Sequence, residues 1–452
     1  MNYLIYCLLF ISIVKANILI IPFKTISTNN LNHENYISEL INNKIYIELK
    51  IGTPYQTIPA LIKLNQVPFF ITSLSFNKNI NSFNSSKSNT YTQDGNKTYN
   101  STTYDYIQAY LGEDIISVKN IENKDCFFNR TNFFLAINLT ENNKNISGEI
   151  GLNIVYATYM SFINQLKKKK IIKDYIFSLK YKTENEGEFH LGNYFHIYDN
   201  KYNESDFTKM EVGLPEQYID SWKLFFNKII LSTGNTTYTN RVLLSYEYGL
   251  IYGTTNYYKL IKEIFFDSLG KKCEEKKINT NDFYFVCDDD INLENFPDLF
   301  FIKYSDINFT LTKNDIWKKF DGKYYFLIIF SEAENLEWIL GKIFFKKYNI
   351  LFNSDSKIIG YYPNSKDKEN EDNEDNEDNE DNQDNNQQNE KGFNFSVSWI
   401  IVIILFILLI LAIIYIIYIV KVKNRKKRAN ELEDSYDYSA KENDNKNICL
   451  NT

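Results

Sequence analysis

The sequence is poor in the residues that carry several common chemistries. Its 452 residues include only three histidines, His33, His190 and His196, and their spacing matches no zinc site. No glycine-rich phosphate-binding loop occurs, and glycine and proline number only 16 and 7. Metal and nucleotide chemistry therefore receive no support, and we expect no cofactor.

A strong excess of either charge is also lacking. The net charge is −7, but residues 366–391 alone hold 12 acidic residues and 3 lysines. The rest of the chain is therefore close to neutral, at about +2, and the total predicts no nucleic-acid partner. The acidic segment contains four consecutive Asn-Glu-Asp triplets and almost nothing apolar, so we expect a disordered, self-repelling spacer.

The two ends of the chain predict a membrane topology. Residues 4–14 are apolar and precede the small residue Ala16, which is typical of a secretory signal cleaved after that residue. Residues 397–420 carry no charge and are long enough to cross a bilayer. A basic cluster at 421–428 follows and should stay in the cytoplasm. We expect a single-pass type I protein of the secretory pathway or cell surface.

Ten Asn-x-Ser/Thr sequons lie on the predicted lumenal side, where they are candidate glycosylation sites. They begin at Asn84, Asn96, Asn100, Asn129, Asn138, Asn145, Asn203, Asn235, Asn308 and Asn394.

Few cysteines are available for disulfides. Of the five, Cys7 lies in the predicted signal and Cys449 in the predicted tail. Cys273 and Cys287 form the expected disulfide, because they share the oxidising compartment and close a short loop. Cys126 is left over, either as a free thiol or as an intermolecular link.

What the sequence does contain is a series of short apolar and aromatic runs. They are separated by Asn, Ser, Thr, Gly and Lys, a pattern typical of strands joined by frequent turns. Apolar residues at helical spacing occur at 156–169 and 255–269. The predicted class is mainly β with a few short helices. The apolar and aromatic runs are at 45–51, 69–71, 177–179, 224–231 and 324–329.

Several of these runs carry motifs of a known family. Residues 46–56 read YIELKIGTPYQ, residues 148–152 read GEIGL, and residues 338–363 read WILGKIFFKKYNILFNSDSKIIGYYP. They resemble the opening strand, the motif closing the first lobe and the terminal motif of pepsin-like aspartic peptidases. The resemblance covers residues 44–363. It implies a bilobal β fold with a central cleft.

The resemblance and the composition together predict a division of the chain. The predicted segments are a signal peptide (1–16), an N-terminal extension (17–43), two lobes (44–205 and 206–365), a linker (366–396), a membrane helix (397–420) and a cytoplasmic tail (421–452).

The family's chemistry requires one Asp in each lobe, in an Asp-Thr-Gly loop, and the two acids share a proton. Here the Asp positions align with Lys63 and Ser245. No acidic residue occurs between Gly52 and Gln93, so a shift of the alignment cannot restore the first acid. Both catalytic carboxylates of the family are therefore missing, and we expect no catalytic residue.

The remaining loop positions are also replaced. Leu64 and Tyr246 align with the threonines, and Asn65 and Glu247 with the glycines. Either Tyr104 or Tyr106 could stand in for the family's flap tyrosine. Together with Tyr104, the four replaced loop residues are the predicted lining of the cleft.

Three functions remain open. The first is a membrane-anchored pseudopeptidase that binds a peptide or protein in the cleft without cutting it. The second is a hydrolase, either the aspartic endopeptidase that the resemblance implies or a Ser-Lys enzyme using Ser245 and Lys63. The third is a surface scaffold whose cleft is filled by bulky side chains such as Tyr246, Tyr248 and Phe69. We expect Lys63 to pair with Glu247 or to face solvent.

Overall fold

The computed structural model describes most of residues 18–363. The described ranges are 18–26, 35–66, 68–75, 81–100, 106–139, 147–154, 161–213, 221–234, 236, 240–304, 307–333 and 337–363. The predicted signal, linker, membrane helix and tail lie outside these ranges. Among the described residues, no helix is long and apolar enough to cross a membrane.

Strands dominate the described chain, as the sequence predicts. In the first half they are β1 (Leu19–Thr25), β2 (Ile45–Ile51), β3 (Gln56–Lys63), β4 (Phe69–Thr72), β5 (Thr92–Asn100), β6 (Tyr106–Lys119), β7 (Asp125–Leu139), β8 (Gly148–Gly151), β9 (Ile176–Tyr181), β10 (Glu186–Leu191) and β11 (Thr208–Glu211).

The second half contributes the remaining strands. They are β12 (Lys223–Phe225), β13 (Lys228–Leu231), β14 (Arg241–Leu244), β15 (Ile251–Tyr252), β16 (Cys273–Lys277), β17 (Asp282–Asp288), β18 (Leu299–Tyr304), β19 (Ile307–Leu311), β20 (Trp317–Phe320), β21 (Lys323–Phe326), β22 (Ile328–Ser331), β23 (Trp338–Leu340), β24 (Leu351–Asn353) and β25 (Ile358–Tyr361).

The helices are short. The α-helices are Tyr36–Ile41, Phe162–Lys168, Thr255–Ile261, Asp267–Leu269, Lys313–Ile316 and Lys342–Lys347, with a π-helical turn at Lys262–Phe266. Single 3-10 turns occur at Ser85–Lys87, Phe195–Ile197, Glu204–Asp206, Gly270–Lys272 and Leu293–Asn295. Both predicted helical regions contain a helix, and each begins at a side-chain cap. Ser161 Oγ accepts from Asn164 N, and Thr254 Oγ1 accepts from Tyr257 N.

One sheet joins the two halves of the chain. Its 13 strands run in the order β11-β25-β24-β9-β10-β1-β2-β3-β8-β4-β7-β6-β5. Strand β24, from the second predicted lobe, pairs with β9 of the first lobe in the register Phe352↔Phe177. Strands of both predicted lobes therefore share this sheet. A nine-stranded sheet (β12-β14-β23-β15-β22-β17-β21-β20, with β16 beside β17) and a three-stranded sheet (β13-β18-β19) complete the second lobe.

The predicted N-terminal extension is integrated into the fold. Strand β1 lies between β10 and β2, and its alternating residues Ile21 and Phe23 are buried in the main core. The helix Tyr36–Ile41 packs on the second lobe, where a side chain at Gly249 would collide with the Leu40 carbonyl. This segment therefore ties the two lobes together.

The two lobes repeat one strand arrangement that positions the candidate site. In the first lobe β3 runs parallel to β8, with Lys63 opposite Gly151. In the second lobe β14 runs parallel to β23, with Leu244 opposite Leu340. Lys63 ends β3 and Ser245 follows β14 directly, so each lies at the end of an equivalent buried strand.

Candidate functional site

Lys63 forms a buried ion pair in the first lobe. Its Nζ lies 2.9 Å from Oε2 of Glu149, which strand β8 holds beside β3. Glu149 has no exposed surface and Lys63 is only 8% exposed. The expectation that Lys63 pairs with Glu247 or faces solvent is thus wrong, because the neighbouring strand supplies the carboxylate.

The pair explains how a lysine can occupy the end of a buried strand. Removing a charge from water costs several kcal/mol, and a buried ion is tolerated when a partner and hydrogen bonds compensate it. Within the motif GEIGL, Glu149 is the polar residue among apolar and glycine neighbours. A single acidic residue in an apolar strand indicates that a cationic partner lies nearby, but it does not identify that partner as Lys63.

Asn65 lies in the loop that follows β3, and it connects this loop to the second lobe. Its side-chain Nδ2 donates to the Leu244 carbonyl at 2.9 Å, and its Oδ1 accepts from Trp222 N at 3.2 Å. Its backbone N donates to Glu247 Oε1 at 3.4 Å. The sequence marked Asn65 as a replaced glycine in the predicted cleft lining. The structure shows that its hydrogen bonds join the two lobes.

Ser245 and Glu247 form the second half of the site. Ser245 is fully buried, and its Oγ donates to Glu247 Oε2. Glu247 N in turn donates to Ser245 Oγ at 3.3 Å. Glu247 is partly exposed, as are Asn65 and Tyr248, so each of these three side chains leaves some surface accessible.

Leu64 and Tyr246 lie in the core. Leu64 has no exposed surface, and the Tyr246 ring lies 4.5 Å from the Phe345 ring and 5.8 Å from the Phe352 ring. Burial raises the pKa of Tyr246 well above its usual range, so its hydroxyl stays neutral. Neither residue presents a surface to a ligand, in contrast to their predicted place in the cleft lining.

The other two bulky residues of the scaffold hypothesis occupy different places. Phe69 has no exposed surface, and its ring lies 5.1 Å from the Phe162 ring in the core of the first lobe. Tyr248 is partly exposed and packs edge-on against Tyr252 at 5.0 Å.

Comparison with known proteins identifies the family. The family model described as "Eukaryotic aspartyl protease" matches residues 44–363, which is most of the chain. The chain belongs to the eukaryotic aspartyl protease family. A search of curated proteins finds no match.

Solved structures with the same fold include two basic 7S globulins. The crystal structure of basic 7S globulin from soybean is 13% identical, with a TM-score of 0.55, and the match covers 77% of this chain and 97% of that chain. That of conglutin gamma, a basic 7S globulin from lupine seeds, is also 13% identical, with a TM-score of 0.56 and coverage of 77% and 96%. At this identity the likeness supports the fold alone, and the predicted bilobal pepsin-like architecture is confirmed.

The aspartyl protease mechanism needs two carboxyl groups that share a proton. In this member Glu149 lies in an ion pair with Lys63, and Glu247 accepts from Ser245 and Asn65. Each lobe thus supplies a carboxylate, but the two have different partners. In the family's mechanism the two acids share one proton. This sharing allows one acid to activate water while the other donates a proton to the substrate.

A Ser-Lys mechanism meets a similar obstacle. A lysine acts as a general base only as the neutral amine, whereas an ion pair with Glu149 stabilises the ammonium. The Ser245 hydroxyl is directed at Glu247.

Of the other predicted site residues, some are described and some are not. The flap candidate Tyr104 and His33 lie outside the described residues. His190 forms two hydrogen bonds. Its Nδ1 lies 2.7 Å from the Tyr198 hydroxyl oxygen, and its Nε2 lies 3.0 Å from Glu188 Oε2. No cluster of metal-ligating side chains occurs in the ranges that the structure describes.

The cysteine prediction is confirmed for the pair in the second lobe. Cys273 and Cys287 face each other on β16 and β17 and form a disulfide. Cys126 is free and partly exposed.

The sequons differ in exposure. Asn100, Asn129, Asn203 and Asn308 are exposed, and Asn84 and Asn138 are partly exposed. The side chains of Asn96, Asn145, Asn235 and Asn394 lie outside what the structure describes.

A cavity of about 430 Å³ lies away from the junction of the loops. It opens where β1 and β2 diverge, and its lining includes Pro22, Tyr46, Lys50, Ile121 and Glu188. None of the residues of the ion pair or of the Ser245–Glu247 contact lines it.

Proposed function

We propose that this chain is a non-catalytic member of its family that binds a peptide or protein ligand in the cleft without cleaving it. The observation that carries the proposal is the pairing at the two catalytic positions. Lys63 is neutralised by Glu149, and Ser245 donates to Glu247. A water molecule between the lobes would therefore meet no pair of acids that share one proton.

Three partly exposed side chains support the proposal of a ligand site. Asn65, Glu247 and Tyr248 leave polar and aromatic surface accessible where the lobes meet. Concave sites between lobes that combine apolar walls with a few polar groups are typical ligand sites. An extended peptide in such a groove can pair with backbone groups while its side chains fill pockets.

The same proposal includes the location of the protein. We propose a single-pass surface glycoprotein whose folded lobes are lumenal or extracellular, anchored by residues 397–420. The exposed sequons Asn100, Asn129, Asn203 and Asn308 support this side of the membrane. No nucleic-acid partner is proposed.

Catalysis is tested with the full-length protein in detergent. Denatured globin and a quenched-fluorescence peptide library are incubated with it from pH 3 to pH 7, with and without pepstatin. We expect no pepstatin-sensitive cleavage. Pepstatin-inhibited turnover that disappears in Glu247→Gln would contradict the proposal and favour the aspartic endopeptidase.

The Ser-Lys alternative requires fluorophosphonate labelling of Ser245 that is lost in Lys63→Ala.

Binding is tested separately on an immobilised library of random decapeptides. The pseudopeptidase hypothesis expects saturable capture of a subset of sequences. The scaffold hypothesis expects none.

A further inference from the structure

The charges at the junction of the lobes do not cancel. The positive charge of Lys63 is compensated by Glu149 within the first lobe. Glu247 receives hydrogen bonds from the Ser245 hydroxyl and the Asn65 amide, which are both uncharged donors. Within the described residues, no cationic side chain forms an ion pair with Glu247. Glu247 therefore contributes a negative charge to the accessible surface at this point.

The carboxylate of Glu247 is also fixed in position by both lobes. Its Oε2 is held by buried Ser245 of the second lobe, and its Oε1 by the backbone of Asn65 in the first. Two donors on one carboxylate restrict its rotation, so less conformational entropy is lost when a ligand binds it. A carboxylate also has about four lone-pair sites, so acceptor capacity remains for a ligand.

Tyr248, the residue that follows Glu247 in the chain, adds an accessible aromatic ring. Its ring is partly exposed and is braced edge-on by Tyr252 at 5.0 Å. Its pKa is raised by burial and by the carboxylates of Glu247 and Asp282, so two negative charges act on its hydroxyl. A carboxylate beside an aromatic face attracts ammonium and guanidinium groups through charge-assisted hydrogen bonds and cation–π contact.

We infer that Glu247 and Tyr248 form a subsite for a basic side chain, so that the bound peptide carries a Lys or Arg at the junction of the lobes. This inference rests on the proposed function, and it adds the chemical class of the ligand. It assigns specificity to a position that the family pattern reserves for a glycine. The replacement of that glycine by a glutamate thus has a functional consequence besides the loss of catalysis.

The test uses the full-length protein and decapeptide libraries scanned position by position. We expect Lys or Arg to be enriched at one position of the captured peptides. The best binder is then compared with its neutral isostere, norleucine for Lys or citrulline for Arg. We expect the isostere to bind at least about tenfold more weakly to the wild-type protein.

Two variants link this preference to the site. Glu247→Gln should reduce the difference between the basic peptide and its isostere to less than about twofold, whereas Glu247→Asp should keep part of it. The control Glu274→Gln, on exposed strand β16, should leave it unchanged. Thermal unfolding of each variant confirms that it is folded.

The outcomes separate the two proposals. Capture of peptides without enrichment of Lys or Arg would overturn the basic subsite and leave the pseudopeptidase hypothesis standing. If folded Glu247→Gln keeps the full preference for the basic peptide over its isostere, the basic subsite is likewise overturned and the pseudopeptidase hypothesis stands. Failure of the wild-type protein to capture any peptide would overturn both.

Discussion

Glu149 is the residue that allows a lysine to stand where the family has a catalytic acid. It lies one strand away, in a motif whose other members are apolar or glycine. Its carboxylate compensates the Lys63 ammonium in a largely buried position. A buried charge is costly unless a partner compensates it, so the lysine and the glutamate stabilise each other.

Breaking that pair should therefore be costly. We expect Lys63→Met to lower the free energy of unfolding by about 3–5 kcal/mol, because buried Glu149 would lose its ion pair with the Lys63 ammonium. The double variant Lys63→Met/Glu149→Leu should recover most of the loss. Urea unfolding at pH 7 measures both.

The surface pair Lys24–Glu48 is a matched control. Its atoms are 3.6 Å apart and both side chains are more than half exposed. Lys24→Met should change stability by less than about 1 kcal/mol. If Lys63→Met were equally mild, the ion pair would not have the structural role assigned to it.

At the scale of elements, the helix Tyr36–Ile41 shows how an extension becomes part of a lobe. Tyr36 stacks on Phe320 with ring centroids 4.3 Å apart and meets Tyr325 at 4.8 Å. Burial and the charge of Glu184 raise the pKa of Tyr36 to about 12, which keeps the ring neutral. Because β1 lies in the interior of the main sheet, removal of residues 17–43 would expose both a strand edge and this aromatic cluster.

Truncation of the aromatic anchor tests this role. We expect Tyr36→Ala to destabilise the protein by about 3–5 kcal/mol, the range for large buried aromatics, because the contacts to Phe320 and Tyr325 are lost. Tyr36→Phe keeps the ring and should cost much less. Tyr55→Ala, at a tyrosine that is 47% exposed, serves as the control in the same unfolding measurement. A Tyr36→Ala effect as small as that control would show that the helix does not stabilise the fold.

At the scale of the whole molecule, one 13-stranded sheet runs through both lobes and places the two loops against each other. Asn65 and Trp222 complete the junction, since the Trp222 Nε1 also donates to the Leu152 carbonyl at 2.8 Å. The proposed binding surface is therefore built by both lobes together.

The proposed anchoring applies to the entire chain and gives its own prediction. The full-length protein should stay with membranes after extraction at alkaline pH, whereas a chain truncated after residue 396 should be secreted, because it lacks the apolar span. A chain truncated after residue 428 keeps the span and the basic cluster and should remain in membranes. Secretion of the full-length protein would contradict the anchor.

Glycosylation of the sequons has its own test. Treatment of the protein with a glycosidase should increase its mobility on a gel.

The sequence by itself determined the family, the β-rich class and the pairing of Cys273 with Cys287. These depend on local motifs, on apolar periodicity and on the small number of cysteines, all of which can be read along the chain. It also predicted that Lys63 and Ser245 align with the catalytic positions of the family, because alignment needs only the flanking motifs.

Only the tertiary structure decided what those residues do. The partner of Lys63 is 86 positions away in sequence and is brought to it by the parallel pairing of β3 with β8. The burial of Leu64 and Tyr246, and the bridge from Asn65 to the second lobe, likewise follow from the packing of strands that are distant along the chain. Side-chain direction and pairing depend on contacts between distant segments, and the order of residues does not specify those contacts locally.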